Sequence, residues 1–314
     1  SSADQLRNAK PSAPCFRCMA RSGRSGTVRI GISGWTYAPW RGVFYPKKLP
    51  RKQELAYAAG IFPSIEINGT FYGLQRPEAF GSWAEQVPED FIFSVKAPRF
   101  ITHILRLRDA ETPIANFLAS GLLRLGPRLG PILWQFPPSF RFDPDRMAAF
   151  LRLLPRDTEA AAALASRHDA RMDGRDWAKT DAKRPLRHAV EIRHDSFVSD
   201  IFLDLLRATG TAIVCADSVE WPRITEVTAD FVYCRLHGSE ALYASGYDPA
   251  AIASWATRVR GWRDAGRDVF VYFDNDMKVR APHDAQALMA ALEGQRASTN
   301  TILRRATASA GTAA

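Results

Sequence analysis

The sequence predicts a single α/β domain, a parallel (β/α)8 barrel of the TIM type, from three observations. Eight short apolar runs, rich in β-branched and aromatic side chains, punctuate the chain. The segments between most of them are long enough for a helix, which is the alternation that a parallel barrel requires. Nearly every run ends in a polar or ionisable residue, and barrels place their active sites at the carboxyl ends of their strands.

The predicted strands, in order, are residues 28–33, 64–68, 91–96, 131–135, 188–193, 211–217, 231–237 and 269–275. Predicted helices follow at residues 54–59, 76–86, 112–123, 146–154, 201–208, 250–265 and 281–292. A second helix after the fourth strand begins at Asp157 or Thr158, because either residue is a good N-cap and an alanine-rich run follows. The charged residues 169–187 then predict a mobile surface excursion, with a lid over the site as the alternative.

These elements give three segments along the chain of 314 residues. Residues 27–294 form the barrel, with the surface excursion near residues 156–187. Residues 1–26 form a basic leader and residues 295–314 a tail; both are rich in small and polar residues, and we expect both to be disordered.

The net charge of +9 lies mainly in those two tails. The leader carries +4 and residues 296–314 carry +3, which leaves +2 for the residues between them. The basic balance therefore predicts weak attraction to polyanions rather than a basic groove. No apolar run is long enough to span a bilayer and no secretory signal precedes the barrel, so we expect a cytoplasmic protein with no membrane partner.

Four cysteines in a chain of this length do not make a disulfide framework. Cys15 and Cys18 form a lone C-x-x-C in the leader, which is a weak metal signal. Strand alternation predicts that Cys215 faces the barrel interior and Cys234 faces the helices, so the two should point apart and stay reduced.

Side-chain alternation predicts which polar residues enter the barrel mouth. Ile65 and Ile67 flank Glu66, so Glu66 and Asn68 should point inward. The same rule places these further residues inward: Ser94, Lys96, Leu133, Gln135, Glu191, Arg193, Cys215, Asp217, Arg235, His237, Phe273 and Asn275. So many charges are costly to bury, which favours a functional site over a purely structural network in which they neutralise one another.

Three kinds of chemistry fit this set of residues. Glu66 with Glu191 or Asp217 can act as a general acid and base pair, with Asp217 and His237 orienting or assisting. Glu191, Asp217 and His237 can also bind a divalent metal, although the neighbouring arginines compete for the carboxylates. The cations of the mouth can instead hold a phosphate or carboxylate, and these are Lys96, Arg193, Arg235 and His103.

Aromatic residues in the loops surround the same opening. Trp35 and Tyr37 follow the first strand and Tyr72 follows the second, and their flat faces suit stacking on bases or sugar rings. The alternative is that most of them pack beneath their own loops. No phosphate-loop, zinc-protease, nucleophile-elbow or dinucleotide motif is present, so the sequence indicates no cofactor and no resident metal.

Spaced motifs between about residues 28 and 293 resemble the YecE-like family, a family of unknown function. The motifs are Gly31-Ile-Ser-Gly-Trp-x-Tyr37, Trp40-Arg-Gly-x-Phe-Tyr-Pro46, Glu66-Ile-Asn-x-Thr-Phe-Tyr72, Phe93-Ser-Val-Lys-Ala-Pro98 with Thr102-His103, Leu129-Gly-Pro-Ile-Leu-x-Gln-Phe-Pro-Pro138, Glu191-Ile-Arg-His194, Arg235-Leu-His-Gly238 and Tyr272-Phe-x-Asn275. The resemblance implies a TIM barrel and leaves the reaction open.

The residues then favour a hydrolase for a small anionic, phosphorylated ligand that bears a ring. Asn68, Gln135 and Asn275 would add polar contacts to such a ligand. One alternative is a metal-assisted phosphoesterase acting on nucleic acid. Another is a protein that binds a ligand or nucleic acid without catalysis, and the sequence predicts no particular oligomeric state.

Overall fold

The eight predicted strands form one closed parallel barrel. The computed structural model describes residues 25–294 except Ser239 and Ala241. Each strand pairs with its neighbours in the sequence, and the last strand pairs with the first. The strands are β1 (Val28–Ser33), β2 (Ser64–Ile67), β3 (Ile92–Lys96), β4 (Leu129–Gln135), β5 (His188–Glu191), β6 (Ala212–Asp217), β7 (Phe231–Leu236) and β8 (Asp268–Phe273). The predicted TIM-type fold is confirmed.

Helices occupy most of the connections between strands. They are α1 (Glu54–Ala59), α2 (Gly69–Tyr72), α3 (Pro77–Glu85), α4 (Glu111–Ala119), α5 (Pro144–Leu153), α6 (Thr158–Ala165), α7 (Asp200–Thr209) and α8 (Pro249–Asp264), and residues 280–294 are also helical. The connection from β6 to β7, residues 218–230, is described throughout and contains no helix. Its extended chain brings Trp221 to the mouth of the barrel, next to His237.

Aspartates cap three of these helices. The side chain of Asp157 accepts a hydrogen bond from the Ala160 amide at 2.8 Å, so Asp157 rather than Thr158 is the N-cap of α6. Asp143 and Asp248 accept equivalent bonds at the starts of α5 and α8. An N-cap carboxylate satisfies an amide that has no partner within its helix and also complements the helix dipole.

The barrel interior and the layer between barrel and helices are distinct. Inward-facing side chains of the middle and lower barrel include Leu133, Ala189, Phe231, Tyr233 and Tyr272. The outward faces of the strands, such as Ile65 and Ile67 of β2, join the larger core beneath the helices. This confirms the predicted alternation in β2, and Glu66 between those isoleucines faces inward.

Two strands have the opposite alternation from the one that the sequence predicted. In β6 the inward residues are the small Ala212, Val214 and Ala216, whereas Cys215 belongs to the outer core. In β8 the inward residue is Tyr272, whereas Phe273 packs outside. The predicted inward positions of Cys215, Asp217, Phe273 and Asn275 are therefore wrong.

The prediction that Cys215 and Cys234 point apart is wrong for the same reason. They are direct partners in the register of β6 and β7, and both lie in the outer core. Both are free thiols. The outward alternation of β6, which its small inward residues impose, brings the two sulfurs to the same face of the sheet.

The excursion after α6 is anchored to the outside of the barrel. Met172 is fully buried, and the Trp177 amide donates to the Ala119 carbonyl at 2.7 Å. The Arg124 guanidinium lies 4.8 Å from the centre of the Trp177 ring. These contacts attach the segment to the end of α4 and the chain that follows it.

The disorder predicted for the leader and the tail, with Cys15 and Cys18, falls almost entirely on residues outside the described part of the chain. Residues 25–26 are described, and the Gly26 amide donates to the Arg263 carbonyl at 2.9 Å. Across residues 25–294, apart from the two omitted positions, no helix is long and apolar enough to cross a membrane.

Candidate functional site

Arg235 is the centre of a buried polar layer just below the barrel mouth. It extends from β7, and its side chain is fully buried. Nη1 donates to Glu191 Oε2 at 2.7 Å and, more weakly, to Gln135 Oε1 at 3.4 Å. Nη2 donates to Glu66 Oε1 at 2.9 Å and Asp274 Oδ2 at 2.8 Å, and Nε donates to Glu66 Oε2 at 3.1 Å. The protein thus occupies the donors of Arg235, and the direct contact with a ligand that the sequence predicted is not supported.

Hydroxyl groups from the layer below fix Glu66. The Tyr233 hydroxyl donates to Glu66 Oε2 at 2.6 Å, and the Ser33 hydroxyl donates to Glu66 Oε1 at 2.8 Å. Burial, together with the neighbouring Glu66 carboxylate, raises the pKa of Tyr233 well above its ordinary value. Tyr233 therefore remains a proton donor at any physiological pH, and the carboxylate of Glu66 is held in one orientation.

Glu191 and Asp274 are held as carboxylates. Burial alone would raise the pKa of Glu191, but Arg235 and Arg193 outweigh it and the pKa lies well below its ordinary value. Burial likewise opposes ionisation of Asp274, and Arg235 with His237 lowers its pKa below the ordinary value. Both groups stay ionised near neutral pH, so the role of general acid does not suit Glu191.

His237 lies between these two carboxylates. Its Nδ1 is 3.1 Å from Asp274 Oδ2, and its Nε2 is 3.6 Å from Glu191 Oε2. Neither nitrogen has an aligned hydrogen-bond partner within the described residues. The ring meets Trp221 edge to face, with 5.1 Å between the ring centres. His237 is fully buried, so a ligand at the mouth does not contact its ring.

Lys96 is a cation of the mouth that has no carboxylate partner among the described residues. It ends β3 and is 8% exposed, and its Nζ lies 4.1 Å from the centre of the Phe71 ring. Within the described chain no carboxylate lies within ion-pair distance of this nitrogen and no hydrogen bond reaches it. Burial and the nearby Arg235 lower the pKa of Lys96 to about 8.

Only part of the Arg193 guanidinium has hydrogen-bond partners among the described residues. Its Nε donates to Glu191 Oε1 at 2.9 Å, and its Nη2 donates to the Tyr243 hydroxyl at 3.2 Å. The guanidinium stacks on Trp221, 3.6 Å from the ring centre, and 10% of the side chain is exposed. Stacking leaves the edge of the guanidinium free to donate, which suits recognition of an anion.

Asp276 lies beyond β8 on the side of the first loop. Burial and the neighbouring Asp274 raise its pKa to about 6. The Tyr37 hydroxyl is close to its carboxyl group and donates to the Ser33 carbonyl at 2.6 Å. Asp274 and Asp276 are two residues apart, yet the pKa of Asp274 is lowered and the pKa of Asp276 is raised towards neutral pH.

Exposure separates the groups that a ligand can touch from those that support them. Glu66, Glu191, Arg235 and His237 have no exposed side-chain surface. The side chain of Asp274 is 12% exposed. The other accessible groups around the opening are Lys96, Arg193, Asp276, Tyr37, Asn68 and Tyr243. Asp274 and Asp276 are therefore the carboxyl groups of the opening that a ligand can reach.

Two of the predicted site residues do not enter the barrel. Asp217 accepts a hydrogen bond from the Trp255 indole at 3.1 Å and pairs with Arg223, on the outer side of β6. The amide of Asn275 donates to Asp284 Oδ2 at 2.7 Å and to the Ser245 carbonyl at 2.9 Å. Both side chains therefore join strands to the surrounding helices and loops.

The predicted aromatic rim is divided between packing and exposure. Trp35 packs edge to face on Trp83, with 5.5 Å between ring centres, whereas Tyr72 is 75% exposed. His103 lies beside Phe71, 5.1 Å between ring centres, and burial with nearby Arg193 lowers its pKa to about 4. His103 is thus neutral at physiological pH and cannot serve there as a cation for an anionic ligand.

Asn68 is among the predicted ligand contacts that remain available. Its side-chain oxygen is buried and has no hydrogen-bond partner in the described part of the chain. A buried amide oxygen without a donor carries an energetic cost, which a ligand or water with a proton to donate would remove.

The sequence prediction missed Asp274, Asp276 and Trp221. The run Asp274-Asn-Asp276 contains the signal, because two acids that are two residues apart share a face. The sequence pattern predicted that Phe273 rather than Tyr272 faces inward. That alternation selected Asn275 and left out Asp274 and Asp276. Trp221 lies in the connection without a helix and carries no periodic signal.

The metal site considered from the sequence is not assembled. Asp217 lies outside the barrel, so it does not join Glu191 and His237. Within the described residues no group of three metal-binding side chains is placed to hold an ion.

Curated UPF0759 proteins of bacteria resemble this chain. The UPF0759 protein YecE of Escherichia coli K12 is 31% identical over 113 residues, which are 36% of this chain and 39% of that protein. The alignment thus spans less than half of the YecE protein. The UPF0759 protein YunF of Bacillus subtilis strain 168 is 23% identical over 299 residues, covering 85% of this chain and 95% of that protein.

Solved structures share the fold. A DUF72 family protein from Thermotoga maritima is 26% identical, with a TM-score of 0.66 over 85% of this chain and 99% of that chain. A second, from Enterococcus faecalis, is 19% identical, with a TM-score of 0.65 over 85% of this chain and 96% of that chain. The family model described as a protein of unknown function, DUF72, matches residues 29–308, and the chain therefore belongs to the DUF72 family.

Proposed function

We propose that the barrel mouth is the active site of a hydrolase for a small anionic ligand that bears a ring. One observation carries the proposal. Lys96 is a buried cation at the mouth with no protein anion within ion-pair distance in the described chain, whereas Arg235 beside it is saturated with carboxylates. A buried charge without a partner is costly, so this nitrogen is better explained by an anionic ligand than by the fold.

Arg193 is the second anion-binding group of the proposal. Among the described residues its guanidinium has one ion pair, with Glu191, and part of the side chain stays accessible. An arginine offers two parallel donors and a lysine offers a compact positive charge, a combination that suits phosphate or carboxylate oxygens. Tyr243, next to Arg193, supplies a flat face against which the ring of such a ligand can pack, and Trp221 supports Arg193 from below.

Asp274 and Asp276 carry the proton transfers of the proposed reaction. Asp274 remains a carboxylate and can accept a proton from the attacking water. Asp276, with a pKa of about 6, can donate a proton to the leaving oxygen. Two carboxyl groups with pKa values pushed apart by their surroundings are suited to these two roles. Glu66, Glu191 and His237 then act from below, as groups that fix Arg235 and Asp274.

Binding can be tested before a substrate is identified. We expect inorganic phosphate to raise the Tm of the native protein, and we expect Lys96→Met to abolish that rise. Lys179→Met, which changes an exposed lysine of the excursion, is the matched control and should respond like the native protein. The rise should diminish as the pH passes about 8, because Lys96 then loses its charge. A phosphate response that persists in Lys96→Met would remove the basis of the proposal.

Catalysis is tested with a panel of aryl phosphates, aryl carboxylates and short single-stranded oligonucleotides. We expect hydrolysis of a small aryl ester and a loss of about 10²–10⁴ in kcat in Asp276→Asn, the usual contribution of acid–base catalysis. The matched control is Asp173→Asn, at an exposed aspartate far along the excursion. Hydrolysis of the oligonucleotides alone would favour the nucleic-acid alternative. Binding without turnover of any panel member would make the protein a binding protein.

A further inference from the structure

A groove on the outside of the barrel, separate from the Lys96 centre, has the properties of a second ligand site. It has a volume of about 370 Å³, within the range of small-molecule pockets. Phe71, Leu74, Phe100 and Ile104 line its walls. Phe71 is common to both places, since its ring also contacts Lys96 in the mouth.

The groove presents an unusual amount of apolar surface to solvent. Phe100 is 41% exposed, Ile104 is 61% exposed and Tyr72 is 75% exposed. Isolated apolar side chains are common on protein surfaces, but a cluster around a concave surface marks a binding site. Two of these three side chains, Phe100 and Tyr72, are aromatic, so a flat ring is the shape that the walls favour.

The segment that carries Phe100 and Ile104 is held in an uncommon conformation. Residues Phe100–Ile104 form a π-helical turn, and Arg106, Leu107 and Asp109 have left-handed φ angles of 51°, 65° and 45°. Buried Leu107 holds the segment in place through its amide, which donates to the Ile101 carbonyl at 3.0 Å. Such turns and such backbone strain concentrate at ligand sites.

The charge of the groove is entirely positive. Arg99, Arg171 and Arg175 line it together with the apolar residues, and no lining residue is acidic. Arg171 lies 3.6 Å from Asp169, whereas Arg99 and Arg175 have no ion pair within the described residues. An occupant with a negative charge next to its apolar part would match both features of the groove.

We propose that this groove binds a small aromatic anion, a flat ring that carries a carboxylate, sulfonate or phosphate. The ring would pack against Phe100 and Tyr72, and the charged group would meet Arg99 and Arg175. This site goes beyond the proposed hydrolase and does not depend on it, since Lys96, Asp274 and Asp276 take no part in it.

The test uses the fluorescent probe 8-anilinonaphthalene-1-sulfonate and its uncharged relative N-phenyl-1-naphthylamine. We expect saturable binding of the sulfonate, weakened about tenfold or more in the double variant Arg99→Ala, Arg175→Ala, since charged hydrogen bonds are the stronger kind. Binding of the uncharged probe should change little in that variant. Arg152→Ala, at an exposed arginine of α5 without an ion pair in the described chain, is the matched control.

Phe100→Ala should weaken both probes, because it removes the wall on which the ring packs. Phe100 and Arg99 are exposed and Arg175 is half-buried, so thermal unfolding of each variant shows whether the protein is still folded. Unchanged sulfonate affinity in the double arginine variant would overturn the proposal, as would equal weakening of the two probes there. Lys96→Met should leave sulfonate binding intact, which separates this site from the phosphate site of the mouth.

Discussion

Arg235 and Glu66 meet in a two-point ion pair that is completely buried, with Nη2 to Oε1 at 2.9 Å and Nε to Oε2 at 3.1 Å. They belong to β7 and β2, on different sides of the barrel. The pair therefore ties the barrel together across its interior, and the same guanidinium also holds Glu191 and Asp274. Arg235 therefore balances the charge of three carboxylates in the mouth.

The first prediction is that Arg235→Met is severely destabilising. The substitution removes the arginine partner of buried Glu66 and Asp274 and leaves Glu191 with Arg193 alone, and breaking buried pairs of this kind costs about 3–5 kcal/mol each. We expect a loss of at least about 4 kcal/mol in the free energy of unfolding, or failure to fold, measured by denaturant unfolding.

Arg152→Met is the control for this substitution, because it changes an exposed arginine, and it should stay within about 0.5 kcal/mol of the native protein. If Arg235→Met folded with nearly native stability, the network would be unimportant for the fold. The interpretation of Arg235 as a structural centre would then be wrong.

The second prediction concerns Glu191→Gln. The side chain pairs with both Arg235 and Arg193, so the neutral amide leaves the largely buried Arg193 without its carboxylate and removes one of the three that hold Arg235. We expect a loss of about 3 kcal/mol at neutral pH, measured by urea unfolding.

The pH dependence supplies an independent check. Because the pKa of Glu191 in the folded protein lies below its ordinary value of 4.5, its contribution exists above pH 4.5 and is lost as the pH falls below it. The difference in the free energy of unfolding between the native protein and Glu191→Gln should therefore become smaller below that pH. Glu89→Gln, at an exposed glutamate, should have the same free energy of unfolding as the native protein at every pH. If the difference in the free energy of unfolding stayed constant at acidic pH, the lower stability of Glu191→Gln would come from packing rather than from charge.

Much of the fold could be predicted because the alternation of apolar and polar residues within each strand indicates which face is buried. In β2 two isoleucines flank Glu66, so only one face is polar and the alternation is unambiguous. In β6 both faces are apolar, and the terminal Asp217 suggested the wrong one. The small inward residues Ala212 and Ala216 were the better guide, since a barrel interior that holds Tyr233 and Tyr272 has little room left.

The candidate site could be predicted only in part, because its pairings join residues far apart in the sequence. The residue types at the strand ends indicated a charged mouth correctly. Nothing local shows that Asp217 pairs with the Trp255 indole, or that Asn275 is held by Asp284. Nor does a sequence show that Arg235 is saturated, since that depends on three strands meeting at one guanidinium.

The third prediction is that Gly31→Ala disrupts the barrel. A Cβ at Gly31 would lie 1.8 Å from the Ser64 carbonyl oxygen, which is backbone of the neighbouring strand and cannot move aside. We expect a loss of more than about 4 kcal/mol or failure to fold, since overlap with backbone is worse than ordinary overpacking. Expression and thermal unfolding measure the effect.

Gly261→Ala is the matched control within the same protein. This glycine lies in α8 and a Cβ there meets no atom within 4 Å. Alanine should stabilise the helix by about 0.5–1 kcal/mol, because it restricts the unfolded chain more than glycine does. Similar stability of the two alanine variants would show that β1 and β2 approach less closely than the structure has them.

The fourth prediction is that Asp276→Asn makes the protein more stable at neutral pH while lowering its activity. The pKa of Asp276 is raised from 3.8 to about 6, so the folded protein binds an extra proton between those values and becomes less stable as the pH rises. The neutral amide avoids this penalty. Because the residue is partly exposed, we expect a gain of about 1–2 kcal/mol at pH 7–8 that disappears below pH 4.

Urea unfolding at several pH values tests this prediction, with Asp173→Asn as the control at an exposed aspartate that should show no such pattern. A catalytic group is expected to cost stability, because the surroundings that tune its pKa also oppose its charge. If Asp276→Asn were less stable than the native protein at every pH, the hydrogen bonding of Asp276 near Tyr37 would outweigh the repulsion from Asp274. Asp276 would then be a structural residue of the first loop, and the proton donor of the proposed reaction would have to be another group.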